Sequence, residues 1–132
     1  MAPNSGDGWL DSERNLTKYD PSLRPGLIAC AREQSREFRR LGGMFRAPKT
    51  MSGFASLNAA TKVINLSRSE MADAKLAALI EEVIHFQQAK DAGIFGNQRG
   101  WLSRYTLIEW QEKRIDLELE VDEIMVSMGF IG

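Results

Sequence analysis

The sequence predicts an α+β domain in which a helix, a short β-hairpin, a second helix and a long final helix follow one another. Two observations lead there. Apolar side chains recur at three- and four-residue spacing in three separate stretches, the signature of helices with one buried face. Between the first and second stretch that period is lost, and "KVINL" (62–66) alternates instead, as a half-buried strand does. A chain of 132 residues that is 43% hydrophobic suits a single core. We therefore expect a loose lead-in over residues 1–20 and one domain over 21–132.

The lead-in is polar and rich in Gly, Asn, Asp and Ser, and only Trp9 and Leu10 offer docking side chains. Pro25 suits the first turn of a helix that runs to about Leu41, with Leu27, Ala31, Phe38 and Leu41 on one stripe and Gly42-Gly43 as its stop. A turn over Asn58 to Thr61 separates "GFASL" from "KVINL", which reads as a hairpin, and Met44 to Arg46 suits a further short strand. Ser67 with Glu70 three residues on has the pattern of a capping box for a helix reaching about Ala92, with Gly93 behind it. After the loop "GIFGNQRGW", Ser103 is the expected cap of a final helix ending near Met128, before Gly129.

Seventeen basic and eighteen acidic residues leave a net charge of −1 and a pI near 5.9, which supplies no general field for a phosphate backbone. Nucleic acid is not an expected partner. Charge is nonetheless segregated. Residues 32–49 hold six basic and two acidic side chains, and residues 109–123 hold seven acidic and two basic, which reads as two solvated helix faces. Cys30 is the single cysteine and lies in the apolar run "LIACA", as a buried small hydrophobe would. No stretch has membrane-spanning length and the start has no apolar export segment, so a soluble chain without membrane partners is expected.

The second helix contains "EEVIH", residues 81–85, with the one histidine of the chain. At about 100° per residue, Leu76, Leu79, Ile80, Val83 and Phe86 gather on one side, predicted to face the first helix and hairpin. Glu81, His85 and Gln88 gather on the other among Ala74, Ala77, Ala78 and Ala89. Solvated faces favour long polar side chains, so a surface of alanines carrying Glu, His and Gln reads as the wall of a polar interior site. Glu81 and His85, four apart, can reach one metal ion, while Glu82 lies about a quarter-turn aside. In a zinc hydrolase a glutamate so placed is the general base toward water. The competing reading is a histidine satisfied by the carboxylate one turn before it.

The final helix has an apolar stripe of Leu107, Trp110, Leu117, Val121, Ile124, Met125 and Met128, with Glu118 at its edge. A carboxylate drawn into a core needs a cation or donors. A metal shared with Glu81 and His85 would supply one, and Arg114, one turn earlier, is the alternative. Glu120 is the second choice of third ligand.

The hairpin segment "ASLNAATKVINLSRSE" followed by "LAALIEEVIHFQQ", then the acidic "DLELEVDEIM", resembles the zincin-like metallopeptidase toxin domains at the C-termini of bacterial polymorphic toxins. The resemblance spans roughly residues 44–128. It implies a small zincin-like fold and a peptidase acting by metal-activated water. Glu81, His85 and Glu118 (or Glu120) would be the ligands, Glu82 the base, and the hairpin edge the seat of a protein or peptide substrate. It further implies a toxin of interbacterial competition, secreted within a larger protein to act in the target-cell cytoplasm, and a cognate immunity protein. The chain departs from the family motif at Glu81, where a histidine is usual. One imidazole and two carboxylates make a harder, more anionic set; zinc is the first expectation, and manganese or iron would suit the set as well. Two other classes stay open: a non-catalytic interaction module with a decayed metal site, and a ferritin-like metal protein completed by dimerisation, since Glu82 and His85 have the E-x-x-H spacing.

Overall fold

The structure, a computed structural model, describes residues 16–51, 53–68 and 72–132. The expected docking of Trp9 and Leu10 lies outside these residues. Among the described residues the elements are α1 (Arg24–Arg40), β1 (Met44–Arg46), β2 (Ala55–Asn58), β3 (Val63–Leu66), α2 (Ala72–Asp91) and α3 (Leu107–Ser127). One-turn 3₁₀ segments precede α1 (Pro21–Leu23) and α3 (Gly100–Ser103). The chain is α+β, with three helices around a small mixed sheet and a long C-terminal helix.

The sheet has the order β1-β3-β2, so β3 is central and β2 is an edge. β2 and β3 form the antiparallel hairpin, with Leu57 opposite Ile64 and Asn58 opposite Val63. The Asn58 side chain closes the turn by accepting from the backbone N–H groups of Ala60 and Thr61, both at 3.1 Å. β1 joins the other edge of β3 in parallel, with Phe45 beside Ile64. The row Leu57, Ile64, Phe45 thus shares one face of the sheet, and that face meets the helices.

Two apolar clusters hold the layers together. In one, Phe38 of α1, Leu57 and Ile64 of the sheet and Val83 and Phe86 of α2 interlock, with Leu41, Phe45, Leu66 and Phe95 packed around them. Phe38 is fully buried and meets the rings of Phe45, Phe86 and Phe95 at centroid distances of 5.0, 5.3 and 5.7 Å. In the other, Leu27 and Ala31 of α1 and Leu76, Ala77 and Ile80 of α2 meet Val121 and Met125 of α3, and Phe130 closes the end. The bulky side of α2 therefore faces α1 and the hairpin as expected. Its alanine side is buried too, with Ala77, Ala78 and Ala89 all at 5% exposure or less. Leu16, at the end of the predicted lead-in, packs on the second cluster, and Lys18 pairs with Ile131 as an antiparallel bridge.

Several expectations at the level of single residues need correction. Thr106, not Ser103, caps α3: its hydroxyl accepts from the Glu109 N–H at 3.2 Å while Glu109 accepts from the Thr106 N–H at 2.8 Å, a full capping box. Ser103 instead ends the preceding 3₁₀ turn, where its hydroxyl donates to the Gly100 carbonyl. Leu107 is 62% exposed, because the first turn of α3 projects beyond the core, and Ile124 also stays exposed. Cys30 is half-buried rather than buried, since α1 is covered on one side only; desolvation, with Glu33 nearby, pushes its thiol pKa up. Ser67 continues the hairpin by donating its N–H to the Phe54 carbonyl, and its expected capping partner Glu70 lies outside the described residues.

Candidate metal centre

The α2–α3 interface places Glu81, His85 and Glu118 in one group: each offers a ligand atom, and these atoms all lie within 4.8 Å of one another. Two come from successive turns of α2, where a four-residue spacing stacks side chains. The third comes from α3, held in place because Val121 and Met125, on the turns after it, are locked in the core. Glu118 is buried, and Glu81 and His85 are half-buried. The group could hold a metal ion.

Gln88 sets the orientation of the imidazole. Its amide nitrogen donates to the Leu117 carbonyl at 3.0 Å and to Glu120 Oε1 at 2.7 Å. With the nitrogen so engaged, the amide oxygen must face His85 Nδ1, at 2.9 Å. An amide oxygen only accepts, so Nδ1 carries a hydrogen and Nε2 is the ring position left for a metal or a second proton. Nε2 stands 3.0 Å from Glu118 Oε1. A bare nitrogen lone pair and a carboxylate oxygen repel at that distance, and a proton on either group or a cation bound to both would offset the repulsion. Ligand atoms on a tetrahedral zinc ion, with bonds of about 2.0–2.2 Å, would stand about 3.3–3.6 Å apart, a spacing between the 3.0 Å contact and the 4.8 Å limit of the group. Glu120 is exposed and bonded to Gln88, which makes it part of the support rather than of the ligand group.

A cavity of about 260 Å³ opens beside this group and is lined by Glu82, His85 and Glu118. Glu82 is only 3% exposed, so the carboxylate predicted to lie a quarter-turn aside is turned inward to the cavity wall. The opposite walls come from the hairpin end, Leu57 to Ala60, and from Arg99, Trp101, Trp110 and Arg114. The Trp101 and Trp110 indoles stack at 5.3 Å with an interplanar angle of 11°. The loop after α2 is tied to the hairpin turn by the Gly96 N–H, which donates to the Ala59 carbonyl at 2.8 Å, and Arg104 reaches back to the Ala92 carbonyl.

Sequence reasoning missed the two tryptophans and Arg99 as cavity-lining residues, although "GNQRGW" held the signal: an arginine and an aromatic in a Gly-rich loop directly after the motif helix. Arg114, expected as the alternative partner of Glu118, lines the same cavity. No family model, no curated protein and no solved structure matches this chain.

Proposed function

We propose that this domain is a metal-dependent hydrolase of the zincin-like kind that cleaves a peptide bond, serving as a toxin or effector domain. Glu81, His85 and Glu118 hold a divalent cation, zinc first and manganese or iron as alternatives. One observation carries this reading: a histidine nitrogen is directed by Gln88 onto a buried carboxylate 3.0 Å away, in a group that includes a second carboxylate. Two carboxylates and a neutral imidazole balance a dication without a surplus proton. Once bound, the cation acidifies water and polarises a carbonyl. Glu82 lines the same cavity, takes the proton from the attacking water and returns it to the leaving nitrogen. A peptide is favoured as substrate because the cavity runs along Leu57 and Asn58 of β2, an edge strand whose outer backbone can pair with an extended chain.

The same short contact supports a second reading, a non-catalytic module in which His85 is protonated and simply paired with Glu118. The Glu82→Gln variant separates the two. In the hydrolase it keeps its metal and loses about 10² to 10⁴ in rate against a denatured protein substrate, with growth arrest on expression in a bacterium lost in parallel. In the non-catalytic module, wild type and variant bind no metal and neither cleaves. The α+β sheet stands against a ferritin-like bundle, where Glu82 would itself be a ligand and Glu82→Gln would empty the site.

A further inference from the structure

Glu118, Glu120 and Arg114 apart, the charged side chains of residues 32–49 and 109–123 stand outside the metal centre, and each segment borders an apolar surface. Across α1, β1, β3 and α2 runs an open groove of about 550 Å³ with an apolar floor of Ile28, Phe45, Leu66, Leu76 and Leu79. One wall is a line of three arginines on α1, Arg32, Arg36 and Arg39, all exposed. Arg39 is laid over the Phe45 ring at 4.9 Å. α3 presents a second apolar surface. Ile108, Ile115, Leu119 and Val126 are 78, 48, 54 and 58% exposed, and at 100° per residue they fall within about 40° of arc. Four aliphatic side chains in one exposed line are not an ordinary solvated face. Along one flank of that line stand the exposed acids Glu112, Asp116 and Glu123.

We propose that the groove receives α3 of a second copy of this chain, so that copies associate head to tail. The patterns agree, because an apolar floor with a basic wall meets an apolar stripe flanked by exposed acids. The groove is shorter than the stripe and takes only part of it. The groove wall from Ile28 to Arg39 spans about 16 Å of helix and the stripe from Ile108 to Val126 about 27 Å. A molecule cannot fill its own groove in this way, since its α3 is already held in the core through Val121 and Met125. Pairing of two stripes with each other would bring acidic flanks together without a cation to offset them. Contact between two different surfaces makes the association heterologous, so it extends beyond a pair unless a ring closes. This inference is independent of the metal centre.

Light scattering behind size exclusion, over a concentration series at low and high salt, tests it with three proteins. Wild type is expected to gain mass with concentration and to lose it at high salt, as the charge pairs are screened. Arg32→Glu/Arg36→Glu disables only the groove and Ile115→Lys/Leu119→Lys only the stripe; each alone is expected to be monomeric. Mixed in equal amounts they should form a species of twice the monomer mass and no larger, because one intact stripe then finds one intact groove. Unchanged thermal midpoints show that the variants are folded, which is expected of exposed positions. Wild type monomeric throughout overturns the proposal. So does a groove variant that self-associates like wild type, which would mean that stripes pair with each other, and so does a mixture that stays monomeric.

Discussion

Replacing Gln88 by methionine keeps the size of the side chain and removes its three hydrogen bonds, to His85, Leu117 and Glu120. Because the residue is 8% exposed, water does not readily take over the inner two. Each neutral bond contributes about 0.5–1.5 kcal/mol, and the bond to exposed Glu120 is largely replaced by solvent. The metal-free protein should therefore lose about 1–3 kcal/mol. The effect on metal is separate. Without the amide oxygen nothing holds the proton on Nδ1, and the ring loses both its tautomer and its angle. Such supporting groups are worth about 10- to 100-fold in metal affinity, or about 1.4–2.7 kcal/mol. Urea denaturation of the metal-free protein measures the first quantity, and zinc titration against a competing chelator measures the second. An affinity within twofold of wild type alongside the expected loss of stability would refute the reasoning, since His85 would then bind no metal through the nitrogen that Gln88 directs.

Phe38→Ala should cost about 3–5 kcal/mol in urea denaturation, because it empties the point where α1, the sheet and α2 meet; a loss below 1 kcal/mol would mean that the aromatic cluster collapses without strain. Thr106→Ala should cost about 1 kcal/mol by removing the α3 cap, whereas Ser103→Ala should leave the denaturation midpoint unchanged. Glu37 is held at a pKa of about 2, below its ordinary 4.5, first by hydrogen bonding from Arg40 and then by Lys90 across the α1–α2 interface. A depressed carboxylate stabilises the fold fully above its unfolded pKa. The thermal midpoint of wild type should therefore exceed that of Glu37→Gln above pH 4.5, and the gap should close as pH falls toward 2. A gap that is constant with pH would show the pairing to be immaterial.

The motif helix was legible because its faces differ in kind, with Leu, Ile, Val and Phe on one side and alanines around Glu81, His85 and Gln88 on the other. Such a division marks two packed sides whatever the partners are. Glu118 was legible for a related reason, as a carboxylate one turn before Val121. The cavity was not legible. It needs the loop after α2, the hairpin end and the first turns of α3 to converge, and no local period encodes that convergence. The parallel pairing of β1 with β3 was hidden in the same way, since three residues of "MFR" do not specify a neighbour. The cap of α3 was readable and misread: Thr106-x-x-Glu109 has the capping-box pattern, and Ser103 has no glutamate or glutamine three residues later to reciprocate.

The central claim is that Glu81, His85 and Glu118 bind one divalent cation, and metal content after loading and desalting tests it directly. Purified wild type, exposed in turn to zinc, manganese and ferrous iron, should retain close to one equivalent of at least one of them. His85→Ala and Glu118→Gln should retain none, and Glu82→Gln should match wild type. Wild type at background for all three metals would contradict the account, and the contact between His85 and Glu118 would then be an ion pair and nothing more.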